Sequence, residues 1–230
     1  MKAFFITGTD TEIGKTAVTA GLTRLGRQMG LQSLAVKPVA AGQGLVDGHW
    51  INDDVQRLLA ATDLPLSPHQ VGPVQLREAC APHIAAQLEG MRVDRAALLH
   101  SVQKTLRLAE LGFVEGVGGF RVPLTADWDT ADMACDLGLP VVLVVGLRLG
   151  CINHALLTAE AIRARGLTLA GWVANTVDPA LSHQDPNMQT LKAELRTPCW
   201  GHVPRLPNPS PAAVAAHLSM NALRQALENT

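Results

Sequence analysis

The stretch Gly8-Thr9-Asp10-Thr11-Glu12-Ile13-Gly14-Lys15-Thr16 separates the apolar run Ala3–Ile6 from a helix-like segment that begins at Ala17. A strand, a glycine-bounded turn and a helix start form a phosphate cradle in this order, because turn N–H groups and the helix N-terminus both attract anions. In such a cradle Lys15 neutralises the β- and γ-phosphates, and the Thr16 hydroxyl holds Mg²⁺. The stretch therefore predicts that the chain binds a nucleoside triphosphate.

The spacing of this stretch differs from that of the ordinary phosphate loop, which has four residues between its first glycine and Gly-Lys-Ser/Thr. Thr9 stands where that glycine is expected, and Gly8 lies one residue earlier. The alternative is an ordinary turn followed by a helix that a threonine caps. The position at the first strand–helix junction favours phosphate binding.

Composition and charge exclude several classes of protein. The chain has 230 residues, of which 47% are hydrophobic, so we expect one sizeable core and a single domain over residues 1–230. The net charge is −1 and no basic run occurs, which argues against a nucleic-acid partner. No apolar stretch reaches the roughly 18 residues of a membrane span. The four cysteines are scattered without Cys-x-x-Cys spacing, as in a reduced, cytoplasmic protein.

Short apolar runs alternate with segments of helical period along the chain, and 141–145 is apolar throughout, as in a parallel strand covered on both faces. The predicted strands are Lys2–Thr7, Ser33–Pro38, Phe113–Glu115, Pro140–Val145, Leu169–Asn175 and Trp200–Val203. The predicted helices are Lys15–Met29, Asp53–Ala61, Pro82–Gln87, Arg95–Leu111, Thr130–Leu137, His154–Ala164, Asn187–Leu195 and Ala212–Glu228. The segment Leu64–Pro82 is predicted to be an irregular surface connection. The alternation predicts a doubly wound α/β fold of the phosphate-loop NTPase type, with a mainly parallel sheet flanked by helices.

Ligands bind at the carboxyl ends of the strands in such a sheet, so the residues that follow each strand are candidates for the site. Lys37 is either a second cation aimed at an anion or a lysine that extends to solvent from the sheet edge. Asp53 and Asp54 suit either a helix cap or a Mg²⁺ shell, and the local sequence does not decide. Glu115 precedes a glycine-rich turn that includes Gly118; it suits a metal-bound triphosphate or, alternatively, a surface position.

Three later segments also follow strands. The segment 146–154 has glycines and a candidate cap, Asn153, at a helix start, which suits an anion site or a capped turn with a buried Cys151. Asn175 can donate and accept hydrogen bonds, so it can read the edge of an adenine, although asparagine also forms turns. The loop Gly201–Pro207 is predicted to lie over the base.

Together these motifs resemble the dethiobiotin synthetases, the ATP-dependent carboxylating cyclases of biotin synthesis. The resemblance covers nearly the whole chain and rests on GTDTEIGKT at 8–16, KPVA at 37–40, Asp54, EGVGG at 115–119, VVGLRLGCINHA at 144–155 and LAGWVAN at 169–175. It implies a homodimer that converts 7,8-diaminononanoate, CO2 and MgATP to dethiobiotin, ADP and phosphate. The implied intermediates are a carbamate and a carbamic–phosphoric mixed anhydride.

The resemblance also implies a role for each matching residue. Lys15, Lys37 and Thr11 act at the carbamate and the transferring phosphoryl group, and the Mg²⁺ ligands are Thr16, Asp54 and Glu115. The implied nucleotide contacts are Glu12, Ile13, Gly14, Lys15, Thr16, Ala17, Asp54, Glu115, Gly118, Asn175, Thr176, Pro204, Arg205 and Leu206. The implied substrate contacts are Thr11, Lys37 and Ala41, together with a turn of the neighbouring subunit formed by Gly150, Cys151, Ile152 and Asn153.

Two residues depart from the family pattern. Ala41 stands where a serine near the substrate amines is common, and Arg148 stands where a lysine is common. Neither lies in the phosphate loop or among the implied metal ligands, so the expected activity is unchanged. A nucleotide-dependent switch, such as a partitioning ATPase of the same broad fold, usually has a lysine early in its loop, where Thr9 and Asp10 stand here. A related amide-forming ligase normally carries a glutaminase domain, which we do not expect in this chain.

Overall fold

The computed structural model describes residues 1–229. Its strands are β1 (Lys2–Gly8), β2 (Ser33–Val36), β3 (Val39–Ala41), β4 (Gly44–Val46), β5 (His49–Ile51), β6 (Val74–Leu76), β7 (Leu111–Glu115), β8 (Val141–Leu147), β9 (Leu169–Thr176) and β10 (Cys199–Val203). Its helices are α1 (Lys15–Gln28), α2 (Asp53–Ala61), α3 (Pro68–Val71), α4 (Pro82–Leu88), α5 (Arg95–Leu106), α6 (Thr130–Leu137), α7 (Cys151–Ala164), α8 (Gln184–Leu195), α9 (Pro211–Ala215) and α10 (Met220–Glu228). None of these helices combines the length and the apolar character needed to cross a membrane.

Six strands form one parallel sheet in the order β10-β9-β8-β1-β7-β2. Every residue of β8 is buried, as expected for a strand that helices cover on both faces. Side chains alternate across the sheet: Phe5 packs in the core on the side of α5 to α8, whereas Phe4 packs on the side of α1, α2, α9 and α10. The predicted doubly wound α/β fold is confirmed.

The predicted helix Arg95–Leu111 is wrong at its C-terminal end. Helix α5 ends at Leu106, and Leu111 is the first residue of β7, where it lies opposite both Lys2 and Ser33. Strand β7 is hydrogen-bonded on both sides, so this stretch gains ladder hydrogen bonds that a longer helix would lose. Tertiary pairing therefore overrides local helical preference here.

The predicted helix Ala212–Glu228 is also wrong, because two helices, α9 and α10, cover this range. Between them Leu218 bridges to Gly201, and the Ser219 N–H donates to the Trp200 carbonyl at 2.6 Å. A Cβ at Gly201 would lie 2.3 Å from the His217 carbonyl oxygen, so the absence of a side chain permits this close approach. The break thus pairs the chain with β10, the edge strand of the sheet.

The segment 64–82 is more ordered than predicted, since it contains α3 and β6. Strand β6 pairs with β3, which also was not predicted, and Val71 and Leu76 are fully buried. Ser67 begins α3 with a reciprocal capping box to Gln70. The segment also fixes the chain after β2, because the Lys37 N–H donates to the Val71 carbonyl at 2.7 Å. It is therefore a support for the candidate site rather than a plain connection.

Candidate active site

A cavity of about 860 Å³ lies where β1, β7 and β2 end, side by side in the sheet. Its lining includes most of the residues predicted to act on phosphate, metal or diamine: Thr11, Glu12, Gly14, Lys15, Thr16, Ala17, Lys37, Ala41, Asp54, Glu115 and Gly118. These residues come from distant parts of the sequence. The parallel sheet brings them together because its strands all end at the same edge.

The loop between β1 and α1 has the backbone shape of an anion cradle. Glu12 and Gly14 both have positive φ values, 56° and 84°, and Gly14 is the N-cap of α1 without any side-chain capping bond. The alternative of a helix capped by a threonine is therefore wrong. Ile13 is only 1% exposed and packs in the same core cluster as Phe4 and Val144, which anchors the loop from below.

Lys15 is held at the mouth of this loop. Its ammonium group donates to the Asp10 carbonyl at 2.7 Å, and the side chain is largely buried. The pKa of Lys15 is lowered to about 8: burial is the main cause, the charges of Glu115 and Asp54 oppose it, and the Lys37 charge adds to it. A triphosphate that enters the cradle would supply the negative charge that favours the protonated ammonium.

Lys37 points into the site and not towards solvent. Only 5% of the residue is exposed, and its ammonium forms ion pairs with Asp54 and, at 2.9 Å, with Glu115 Oε1. Burial alone would lower the pKa of Lys37, but the charges of Glu115 and Asp54 outweigh it and raise that pKa. Conversely, burial would raise the pKa of Asp54, and the Lys37 ammonium outweighs that effect and lowers it.

Neither aspartate at the start of α2 is the helix cap. Asn52 is the N-cap, since its side chain accepts the Val55 N–H at 3.1 Å, and its amide also donates to the Gly42 carbonyl at 2.8 Å. The Asp54 carboxylate is thereby free to face Lys37. Asp54 is therefore not the helix cap, and it lines the cavity.

Glu115 lies in the interior at the end of β7 and is 0% exposed, so the alternative of a surface glutamate is wrong. Its Oε1 accepts both the Thr16 hydroxyl, at 2.6 Å, and the Lys37 ammonium. Its Oε2 is buried and has no hydrogen-bond partner within residues 1–229. A buried carboxylate oxygen without a partner is costly, which makes it a ready ligand for a cation.

The donor set fits Mg²⁺ bound together with a nucleotide. No group of three or more His, Cys, Asp or Glu side chains in the described chain could hold a metal by itself. Mg²⁺, however, is usually bound by one or two carboxylates plus waters and substrate phosphates. The oxygens of Thr16, Asp54 and Glu115 lie close together, since the Lys37 ammonium donates to both carboxylates and the Thr16 hydroxyl donates to Glu115. These oxygens therefore already surround one positive charge.

Some predicted site residues lie outside this cavity. The Asn175 side chain donates to the Ile13 carbonyl at 2.8 Å, and Thr176 contacts His202 at 2.9 Å. The loop Pro204, Arg205 and Leu206 follows β10, which is separated from β1 by the two strands β9 and β8. Gly150, Cys151, Ile152 and Asn153 form the start of α7, with Gly150 as the N-cap, so the predicted Asn cap is wrong, whereas Cys151 is buried.

Sequence reasoning missed several residues of the cavity wall: Arg57, Ala79, Cys80, Ala81, Pro82, Val117, Arg121, Val122 and Pro123. They lie within α2, between β6 and the start of α4, and in the loop after β7, whose positions in space the sequence did not indicate. It also missed the ion pair between Arg148 and Asp10, whose Oδ1 accepts the Thr11 N–H at 2.8 Å. The opposite charges of these two residues were visible, but not their proximity.

Comparison with known proteins identifies the family of this chain. A family model described as "AAA domain" matches residues 2–213. The chain is 52% identical over 229 residues to "ATP-dependent dethiobiotin synthetase BioD" of Pseudomonas aeruginosa strain UCBPP-PA14, covering 97% of this chain and 98% of the relative. It is 49% identical over 219 residues to the protein of the same name from Aromatoleum aromaticum, covering 95% and 97%. The chain belongs to the dethiobiotin synthetase family.

Solved structures outside the dethiobiotin synthetase family share the fold. A ParA family ATPase from Chlorobium tepidum TLS matches with a TM-score of 0.56 and 12% identity over 100% of this chain and 96% of its own. The MinC:MinD cell division complex of Aquifex aeolicus matches with a TM-score of 0.59 and 11% identity, covering 100% and 97%. At these identities the likeness concerns the fold alone. The full-length matches to dethiobiotin synthetases distinguish this chain from the switch ATPases.

Proposed function

We propose that this dethiobiotin synthetase converts 7,8-diaminononanoate, CO2 and MgATP to dethiobiotin, ADP and phosphate, as a step of biotin biosynthesis. The observation that carries the proposal is the convergence of two buried lysines, a threonine hydroxyl and two carboxylates on one cavity. The identity to relatives of that name supports the same reaction.

The chemistry proposed for the site has three steps. One substrate amine takes up CO2 and loses a proton to form a carbamate. The carbamate oxygen attacks the γ-phosphorus of ATP and expels ADP, which gives a carbamic–phosphoric anhydride. The second amine then attacks the carbamate carbon, closes the ureido ring and expels phosphate.

The cavity suits the first two steps because they bring two anions together. A carbamate and a triphosphate repel each other, and Lys15 and Lys37 supply positive charge within a site largely shielded from water. Mg²⁺, held by Thr16, Asp54 and Glu115, would neutralise charge on the phosphates when bound. Loss of one such stabilising group commonly costs about 3 kcal/mol of transition-state stabilisation, or roughly a hundredfold in rate.

The apolar part of the cavity lining suits the rest of the diamine. Ala79, Ala81, Pro82, Val117 and Val122 present apolar groups that can pack against a methylene chain. Thr11 and Ala41 line the same cavity. Because Ala41 has no hydroxyl, any hydrogen bond to a substrate amine at this position must come from the backbone or from water.

The other end of the nucleotide is proposed to lie towards Asn175, Thr176 and the loop 204–206, which follow β9 and β10. The Asn175 amide N–H is engaged with Ile13, whereas its carbonyl oxygen remains an acceptor for an adenine amino group. Asn175 would in this way connect recognition of the base to the loop that holds the phosphates.

We further propose a homodimer in which the start of α7 receives the carboxylate tail of the partner's substrate. Within the described chain this turn does not line the cavity, and Leu149, directly before it, is 91% exposed. Leu157, farther along α7, is also exposed. An apolar surface beside a helix N-terminus suits a subunit contact with an anion site at its edge. Location in the cytoplasm, where the co-substrates are supplied, is part of the same proposal.

The deciding experiment is mass detection of the ureido product after incubation with diaminononanoate, bicarbonate and MgATP. Product with a mass increase equal to one CO2 less one water, absent when the diamine is left out, supports the proposal. ATP hydrolysis without such a product would contradict it and indicate a nucleotide switch. Sedimentation tests the shared site, since a fully active monomer would be incompatible with it.

A further inference from the structure

The Lys37 ammonium lies between the two carboxylates that the proposed function assigns to the metal. It donates to Glu115 Oε1 at 2.9 Å and pairs with Asp54, while the Thr16 hydroxyl donates to the same Glu115 oxygen. All four of these groups are also the ones expected around Mg²⁺ or the phosphates. One cation therefore occupies the position that another needs.

Four charged groups of the cavity balance one another, and Arg57 on the same lining adds a positive charge that acts on Asp54. Lys15 and Lys37 carry two positive charges, and Asp54 and Glu115 carry two negative charges, with Glu115 fully buried. A divalent cation added alone would leave two uncompensated positive charges beside Lys37, which is unfavourable in a buried site. A complex of a divalent cation with a triphosphate, by contrast, has a net negative charge, so its entry adds no positive charge to the site.

The backbone of Lys37 is fixed, whereas its side chain has rotatable bonds. Its backbone N–H is fixed to the Val71 carbonyl at 2.7 Å, so the main chain at the end of β2 is held. The four-carbon side chain, by contrast, is flexible and ends in a compact charge. The ammonium can thus leave the carboxylates without any change in the fold.

We propose that Lys37 determines the form in which the site accepts its metal: the ammonium competes with a free divalent cation for Asp54 and Glu115, and it yields only when a triphosphate provides another anion for it. The metal is then taken up as its nucleotide complex. In this exchange the Lys37 ammonium moves from the two carboxylates to the phosphates, where it stabilises the negative charge of the reacting groups. This inference rests on the proposed function for the identity of the metal ligands.

The competition is tested by Mn²⁺ binding without nucleotide, measured from the electron paramagnetic resonance signal of free Mn²⁺. Lys37→Gln and Lys37→Met, first checked for folding by circular dichroism, are expected to bind Mn²⁺ about tenfold more tightly than the wild type. The double variant Lys37→Gln, Glu115→Gln should lose that gain, because the carboxylate that receives the metal is gone. Equal Mn²⁺ affinity of the wild type and both single variants would overturn the proposal.

Lys15→Gln is the matched control. It removes a buried cation from the same cavity, but its ammonium is bonded to the Asp10 carbonyl and not to either carboxylate. A smaller gain than that of Lys37→Gln supports direct competition. An equal gain would overturn it, since the effect would then reflect the net charge of the cavity.

The wild type provides a measurement that needs no variant. Mn²⁺ alone should leave its melting temperature unchanged, whereas Mn²⁺ with a non-hydrolysable ATP analogue should raise it above the value with the analogue alone. An equal rise with Mn²⁺ alone would refute the competition. Product formation by the same wild-type preparation is measured separately, so a missing product counts against the proposed function and a failed Mn²⁺ comparison against the competition.

Discussion

Gly14→Ala is the substitution whose effect the structure defines most sharply. Gly14 has φ 84° as N-cap of α1, and a Cβ there would lie 2.3 Å from Asn175 Nδ2. The left-handed backbone costs an alanine about 1–2 kcal/mol. The Asn175 side chain must also move away and lose its 2.8 Å bond to the Ile13 carbonyl, which adds about 1 kcal/mol. The free energy of unfolding should therefore fall by about 2–3 kcal/mol.

Gly30→Ala separates the two contributions. Gly30 has nearly the same φ, 83°, but a Cβ there would meet no atom within 4 Å. It should cost the backbone strain alone, so Gly14→Ala should melt about 2–4 °C below Gly30→Ala in thermal unfolding without nucleotide. Nucleotide affinity, measured by calorimetry, should fall about fivefold or more in Gly14→Ala only. Equal melting temperatures and equal affinities in the two variants would refute the coupling between Gly14 and Asn175.

Three further predictions concern the charged groups. Lys37→Ala should keep ATP binding but lower the rate of dethiobiotin formation about a hundredfold, whereas the surface variant Lys104→Ala should not; near-normal turnover would remove Lys37 from the mechanism. Glu115→Gln should raise the Mg²⁺ concentration needed for half-maximal activity, because a buried ligand loses its charge; an unchanged Mg²⁺ titration would speak against this role. Burial and, next to it, the nearby His217 charge lower the pKa of His202 in the folded protein. Just below pH 6.5 the unfolded chain therefore binds more protons than the folded one. The free energy of unfolding should fall as the pH drops through this range. Thermal melts between about pH 5 and 7.5 should show a weaker dependence in His202→Gln, and an identical dependence would contradict the assignment.

The sequence predicted those parts of the site that depend on the succession of strand, loop and helix within a short stretch of the chain. The loop from Gly8 to Thr16 follows a recognisable strand and precedes a helix, and the fold then places it at a sheet edge. Lys37 and Glu115 were also identified because each ends an apolar strand. Their position at a strand end favoured a place in the site but left a solvent-exposed position open for each.

The contacts between distant segments were not predictable in the same way. The pairing of Lys37 with Asp54 and Glu115 depends on β1, β7 and β2 being neighbours, which is a property of the whole sheet. The true end of α5 at Leu106 and the break before Ser219 likewise depend on backbone pairing with other strands. Helical preference, read along the chain, contains no information about such partners.

The buried Ile13 side chain links the stability of the phosphate-binding loop to that of the core. Because this side chain belongs to the core cluster with Phe4 and Val144, the loop above it cannot loosen while the core stays packed. We therefore expect the loop to keep its backbone shape until the core itself opens, even though its exposed N–H groups exchange with water. ATP recognition should then persist undiminished up to the denaturant concentration at which the whole molecule unfolds, and vanish with it.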